Sequence, residues 1–167
     1  MELKNNIEVF IEISKNSNIK YEYDKDKKKL ICDRILHTPF SYSFNYGFVD
    51  NTLSMDGDPI DVVVIMEESL VSGCTINCKI IGSLETSDDK GDDPKLIACP
   101  LDSIDPNSKE INDIYDINKH TLDKIKYFFT HYKDLENKKV TIGNFLNKEN
   151  SIEIYKQSIS NYLESKI

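Results

Sequence analysis

Asp56, Asp58 and Asp61 sit in the run Asp56-Gly57-Asp58-Pro59-Ile60-Asp61, which leads straight into the apolar Val62-Val63-Val64-Ile65. Gly57 permits a tight or left-handed backbone and Pro59 fixes the next turn, so the acids are held on a bent segment. Carboxylates crowded this way repel one another unless a cation lies between them. Hard oxygen ligands of this kind suit Mg²⁺, Mn²⁺ or Ca²⁺. A solvated acidic turn would explain the same residues. The calcium-loop pattern does not fit, because it needs a ligand where Ile60 stands and a glycine one place later. A second acidic cluster, Asp88-Asp89-Lys90-Gly91-Asp92-Asp93-Pro94-Lys95, also precedes an apolar run, Leu96-Ile97-Ala98. Two Gly/Pro-braced acidic turns, each entering a strand, are expected to form two halves of one metal site.

The elements that must position these turns are legible in outline. With 167 residues, 39% hydrophobic and 30% charged, the chain is expected to form a single domain, 1–167, with a substantial core. A net charge of −8 opposes non-specific nucleic-acid binding, which relies on a basic surface. No run approaches the ~18 apolar residues of a membrane span. The start, with Glu2 and Lys4, has no signal-peptide core, and Glu2, Glu8 and Glu12 oppose a mitochondrial presequence. The four cysteines, Cys32, Cys74, Cys78 and Cys99, show no paired spacing and read as buried free thiols of a cytoplasmic protein.

Ile7 to Ile13 alternates, placing Val9, Ile11 and Ile13 on one face and Glu8, Phe10 and Glu12 on the other. Lys20 to Tyr23 alternates too, with Lys20 and Glu22 on one face. Further strand-like runs are Leu30 to Cys32, Val62 to Met66, Thr75 to Leu84 and Leu96 to Cys99. Short strands separated by turns suggest a small antiparallel barrel. The period then becomes helical: Leu122, Ile125, Phe128, Phe129 and Tyr132 share one stripe, and Ile152, Tyr155, Ile159, Tyr162 and Leu163 another. Asn150 with Glu153 resembles a capping box for the second helix.

In this order, Ile19-Lys20-Tyr21-Glu22, Asp33-Arg34, Asn45-Tyr46-Gly47, Asp56 to Asp61, Asp88 to Lys95 and His131-Tyr132-Lys133-Asp134 resemble the family I (soluble) inorganic pyrophosphatases of prokaryotic length. The central run fits the family signature D-G-D-P-x-D, and the similarity extends from about Glu8 to the second helix. The resemblance implies a mainly β protein with α, an OB-type five-stranded β-barrel with two C-terminal amphipathic helices. It implies Mg²⁺-dependent hydrolysis of inorganic pyrophosphate to two orthophosphates by metal-activated water, with several Mg²⁺ per active site. It also implies a homo-oligomer, commonly a hexamer.

By the same resemblance, Asp56, Asp61 and Asp93 bind the metal pair flanking the attacking water, and Asp88, with Asp93, holds a further metal. Glu22 is a direct or water-mediated ligand, and Glu12 lines the cavity. Asp58 matches the catalytic base, with neighbouring cations expected to hold its pKa low. Lys20, Arg34, Tyr46, Lys95, Tyr132 and Lys133 grip the phosphoryl groups, Arg34 by a planar two-point contact. Tyr42 and Asn45 support the site. Plainer readings stand beside these: Lys20 and Glu22 as a surface ion pair, Arg34 as a strand-end cap, Tyr132 as core, and Lys133 as a partner of the helix dipole. His131, Asp89 and Asp92 read as surroundings. The chain departs from the family pattern at Ser43, where a proline is usual, which predicts a less rigid loop. It also lacks tryptophan in the segment after Lys133, where Val140 and Phe145 stand.

The alternative is a non-catalytic OB-fold binding module with a structural cation site. Net charge opposes a nucleic-acid ligand for it, and a structural site gains little from the extra acid Asp58. A nucleotide or sugar-phosphate hydrolase would need an apolar lining that these charged residues do not provide.

Overall fold

The computed structural model describes residues 5–167, so the charged start at Glu2 and Lys4 lies outside it. Five strands close into a ring. β1 (Asn6–Ile13) pairs with β4 (Asn45–Phe48), β4 with β5 (Asp61–Val64), β5 with β8 (Lys95–Pro100), β8 with β6 (Thr75–Asp88), and β6 returns to β1. Only the β5–β8 pairing in the ring is parallel. β2 (Ile19–Asp24) and β3 (Lys29–Ile35) form a separate hairpin. The short β7 (Gly91–Asp92) folds back on the end of β6, and β9 (Thr141–Leu146) pairs with the same part of β6. Helices α1 (Lys119–His131) and α2 (Lys148–Ser165) complete the expected architecture of an OB-type barrel with two helices. Among the described residues, no helix is long and apolar enough to cross a membrane.

Strand alternation divides the apolar residues between two cores. Val9 and Ile11, Val62 and Val64, Leu96 and Ala98, and Cys78 and Ile80 come from strands that do not all neighbour one another, yet they form one cluster, so they fill the ring. The outward residues Tyr46, Val63, Leu84 and Ile97 form a second cluster with Tyr42 and Phe44 and with Ile125, Phe128, Phe129 and Tyr132 of α1. Aromatic contacts carry much of this outer core: the tilted rings of Tyr42 and Phe128 lie 4.7 Å apart, and Phe44 stacks 5.5 Å from Phe129.

The structure corrects the sequence reading of β1 at its end. Ile11 pairs with Gly47 and Ile13 with Tyr46, so Glu12 is an extra, bulged residue. The bulge moves Ile13 out of the ring, away from the cluster of Val9 and Ile11 and into the outer core. The cap of α2 is also displaced. Asn147 is the N-cap, and its side chain accepts a 2.9 Å hydrogen bond from the Asn150 amide. All four thiols are free, but only Cys78 and Cys99 are buried; Cys32 is exposed and Cys74 half-buried.

β4 approaches β1 so closely that a Cβ at Gly47 would sit 1.8 Å from the Phe10 carbonyl oxygen. Backbone cannot yield that far without parting the strands. Gly47→Ala should therefore lower unfolding stability by at least about 3 kcal/mol, measured by urea denaturation. Stability within about 0.5 kcal/mol of the parent would contradict this packing.

Candidate active site

A cavity of about 430 Å³ opens beside the outer core, where β1, β2, β3, β5 and β8 meet the end of α1. Its floor is an ion-pair cluster. Asp61 and Lys95 are register partners across the parallel β5–β8 ladder, and Asp93 lies two residues before Lys95 on the same side. The buried Lys95 ammonium donates to Asp61 Oδ2 at 2.7 Å and to Asp93 Oδ2 at 2.6 Å. Burial alone would discharge it. Asp61, Tyr46 and Asp93 hold its pKa well above the usual lysine value.

The first acidic turn stands over this floor. Gly57 takes φ +92°, its amide donates to Ser54 O, and the Asp56 carboxylate accepts from the Asp58 amide at 3.0 Å. Ser54 N donates to Asp58 O at 2.7 Å, and Ile60 N donates to Thr52 Oγ1 at 2.9 Å, so the loop is braced at both ends. The second acidic turn is held by β7 and by the Asp93 amide, which donates to Thr86 O at 2.8 Å. The two turns meet. A Cβ built at Gly91 would lie 3.7 Å from Met55 O. Asp56, Asp58, Asp61, Asp88 and Asp93 consequently line one cavity, as the two-halves expectation required, whereas Asp89 and Asp92 do not.

Opposite the turns, the β2–β3 hairpin contributes Lys20, Glu22 and Arg34, and the end of α1 contributes Tyr132 and Lys133. Lys20 Nζ is 3.7 Å from Glu22 Oε1, so the plain ion pair exists within the cavity wall. Tyr132 is both C-cap of α1 and part of the outer core, with its ring flank also facing the cavity. The bulge at Glu12 sends that carboxylate in from β1, where it accepts from the Tyr23 amide at 2.8 Å. Tyr42 and Tyr46 complete the wall. Asn45 does not reach it. Its Oδ1 accepts from Lys15 N and Leu70 N at 2.9 and 3.0 Å and its Nδ2 donates to Glu68 O, which ties two loops to the start of β4 on the far side.

The Ser43 loop is held firmly, contrary to the expectation drawn from the missing proline. Asn16 N donates to Tyr42 O at 2.7 Å and Tyr42 N to Ser17 O at 2.8 Å, while Tyr42 and Phe44 on either side of Ser43 are buried. Lys25, Lys90 and Lys138 also line the cavity and Glu136 pairs with Arg34, none of them anticipated. The lysines come from polar loop segments with no distinctive spacing. Glu136 is three residues beyond Lys133, and a carboxylate one turn past a functional helix end was the available signal.

Each half of the cavity repels itself. Burial, then Asp56, raises the Asp58 pKa. Burial raises Asp93 to about 7, against Lys95 and with Asp61 adding. Glu12 also rises to about 7, through burial offset by the Tyr23 amide and reinforced by Asp61. On the other side, burial and then Lys95, Arg34, Lys20 and Lys138 lower Lys133. Burial pushes Tyr132 up to about 12 and raises Tyr42 and Tyr46 well above the usual tyrosine value, so all three hydroxyls stay neutral donors. Among the described residues, no three carboxylates converge on one point; Asp61 and Asp93 converge on the Lys95 ammonium instead. The donor set nevertheless fits hard divalent ions. The carboxylates are crowded and partly desolvated, and no thiol or imidazole lines the cavity.

An OB-type barrel with a cavity lined by clustered carboxylates, lysines, an arginine and tyrosines is suited to a small polyanion together with hard cations. Comparison with known proteins places it more closely. The inorganic pyrophosphatase family model matches residues 9–163. The inorganic pyrophosphatase of Helicobacter pylori (strain ATCC 700392 / 26695) is 49% identical over 155 residues, covering 92% of this chain and 90% of that protein. That of Nanoarchaeum equitans is 49% identical over 154 residues, 92% and 95% of the two chains. A solved structure of the Helicobacter pylori enzyme superposes with a TM-score of 0.93 at 47% identity, over 96% of this chain and 95% of that one. The Thermus thermophilus enzyme gives 0.90 at 31%, over 95% and 91%. The chain belongs to the inorganic pyrophosphatase family.

The Glu12 shift carries a linkage consequence. Folding binds the Glu12 proton more tightly, so its contribution falls as pH rises from about 4.5 to about 7 and is level above that. In EDTA, Glu12→Gln should match the parent in stability near pH 4 and exceed it near pH 8, by up to about 3 kcal/mol. Parallel stability–pH curves for the two proteins would refute the assignment.

Proposed function

We propose that residues 1–167 act as one inorganic pyrophosphatase domain that hydrolyses pyrophosphate to two orthophosphates in this cavity, with Mg²⁺ as cofactor. The observation that carries the reading is a single cavity that gathers a half of clustered carboxylates, Asp56, Asp58, Asp61, Asp88 and Asp93, and a half carrying Lys20, Arg34 and Lys133. Cations against Asp56, Asp58, Asp61, Asp88 and Asp93 relieve one half, and a compact polyanion against Lys20, Arg34 and Lys133 relieves the other. The cavity has little apolar surface against which a base or sugar would pack.

Asp56, Asp61 and Asp93, with Asp88 and Glu22, would hold several Mg²⁺. Bound there, Mg²⁺ would supply Lewis acidity, acidify the attacking water and neutralise phosphate charge. Asp58 accepts the proton of that water. Without metal, burial and then Asp56 hold its carboxylate above the usual aspartate value; cations at Asp56 and Asp61 would lower it, so the metals would do most of the activation. Lys20, Arg34 and Lys133 draw the phosphoryl groups toward the basic wall. Tyr46 and Tyr132 orient phosphate oxygens without adding charge, which eases product departure. Lys95 acts at the floor, fixing Asp61 and Asp93 while facing the substrate. Glu12 and Tyr42 back the site, and Asn45 acts from a distance through the loops it ties.

The reading extends to a cytoplasmic homo-oligomer, a hexamer by family resemblance, with neither nucleic acid nor membrane as partner. The free thiols support the location and the net charge of −8 opposes nucleic acid, while the oligomer rests on the family resemblance alone. The binding-module alternative leaves Asp58 and the basic wall without a purpose.

Phosphate release from pyrophosphate by the purified chain should be fast with Mg²⁺ and absent with EDTA. Replacing Mg²⁺ by Ca²⁺ should suppress it, since the larger ion polarises water less. Asp58→Asn and Asp61→Asn should each lose at least about 10²-fold in kcat with circular dichroism unchanged. Near-parent turnover in either variant would sink the assigned roles.

A further inference from the structure

Arg34 is held by two carboxylates of unequal permanence. Its Nη1 pairs with Asp33 Oδ2, and its Nε lies 2.9 Å from Glu136 Oε1. A phosphate gripped at two points needs one edge of the guanidinium, either Nε with Nη2 or Nη1 with Nη2. Both edges are therefore half taken, and one carboxylate must leave before Arg34 can make the planar contact.

The surroundings distinguish the two. The Glu136 side chain is 6% exposed, and that of Asp33 is 36% exposed. Glu136 ends a one-turn 3₁₀ segment, Asp134–Glu136, that follows Lys133 directly; Glu136 N donates to Lys133 O at 2.9 Å, and Asn137 stops the turn at φ +56°. Its backbone is thus fixed to the end of α1. Asp33 instead occupies the irregularity in the hairpin, where Lys20 pairs with Arg34 and Tyr21 with Cys32, leaving Asp33 with no cross-strand partner. The Glu136 contact is not arranged for stability. Oε2 is buried with no hydrogen-bond partner, and Arg34 Nε does not point its proton along the line to Oε1. An apolar residue would fill the same space without burying a half-paired charge.

We propose that Glu136 is a positioning residue that keeps Arg34 turned toward the cavity, and that Asp33 is a place-holder at Nη1 which the substrate phosphate displaces. The proposal rests on the reading of Arg34 as a phosphate ligand. In the free protein Asp33 satisfies the guanidinium. On binding, the phosphate takes the Nη1–Nη2 edge, Asp33 turns out to solvent, and Glu136 stays on Nε so that the guanidinium plane does not rotate away. The two carboxylates therefore have opposite effects on affinity: Glu136 assists the phosphate and Asp33 competes with it.

Steady-state pyrophosphate hydrolysis at saturating Mg²⁺ tests this with Glu136→Gln, Glu136→Leu, Asp33→Asn, Arg34→Lys and the Glu136→Leu/Arg34→Lys double variant. Glu136→Leu should raise KM about tenfold, because the guanidinium loses the ion pair that holds its plane toward the cavity, with kcat changed less than about threefold. Glu136→Gln, which keeps an acceptor, should fall between it and the parent. Asp33→Asn should lower KM. Arg34→Lys should raise KM at least as far as Glu136→Leu, and the double variant should match Arg34→Lys alone. If Arg34→Lys raises KM but the Glu136 variants do not, or if the double variant is additive, Glu136 is not the positioning residue although Arg34 remains a phosphate ligand. A raised KM in Asp33→Asn overturns the place-holder role. An unchanged KM in Arg34→Lys overturns the proposal together with the ligand reading beneath it. Should Glu136→Leu fail to fold, Glu136→Gln and Asp33→Asn still decide, because the proposal requires KM to move in opposite directions.

Discussion

Lys95 Nζ lies 2.7 Å from Asp61 and 2.6 Å from Asp93, buried under the outer core, and the arrangement of the strands makes that contact possible. Asp61 opens β5 and Lys95 opens β8. In the ring only these two strands run parallel, so both charged residues lie at the same end of the ladder, in register. An antiparallel pairing would have placed one at each end. The hydrocarbon stem of Lys95 lies between Tyr46 and Phe129, with the ammonium 5.8 and 5.7 Å from their ring centres. Removing Lys95 would leave two partly buried carboxylates uncompensated, which costs about 3–5 kcal/mol. The floor is for that reason rigid before any ligand arrives, and the acidic turns above it inherit fixed positions.

The net charge of −8 does not prevent such a protein from taking a polyanion, because the relevant field is local. Lys20, Arg34 and Lys133 share one wall with Lys138 close by, and burial, then Lys95 and these neighbouring cations, lower Lys133. The acids face them across the cavity. Cations on the acidic side and a polyanion on the basic side would therefore favour one another's binding. This coupling distinguishes the cavity from a plain cation site, in which the basic wall would have no function.

Sequence pattern made the chemistry legible better than the geometry. The two acidic turns announced themselves because Gly, Pro and clustered Asp leave few alternatives. Alternation located β1, and helical spacing located α1 and α2. The pattern failed where one residue changed the period: the bulge at Glu12 turns Ile13 to the other core and brings the Glu12 carboxylate into the cavity. β4, four residues all buried, has no alternation to detect, and β9 carries Gly143 and Asn144 in its middle. Asn45 sits beside Tyr46 in sequence but points to the opposite side of the strand, so adjacency to a site residue misled. Glu136 reaches Arg34 across 102 positions of chain, a distance that only the folded outer core closes.

The two halves of the cavity are stiffened by different helices. α2 holds the acidic side: Leu53 N donates to Ser158 O at 2.9 Å, and Asn161 Nδ2 donates to Leu53 O at 3.1 Å, immediately before the turn of Asp56 and Asp58. α1 holds the basic side, because Phe128, Phe129 and Tyr132 pack on Tyr42, Phe44 and Tyr46 and so fix where Lys133 begins. Ordering a charged side chain costs about 0.5–1.5 kcal/mol each, and repelling neighbours would add to that if the walls could spread. Packing each wall against its own helix means that this cost is met in folding and not at the moment of binding.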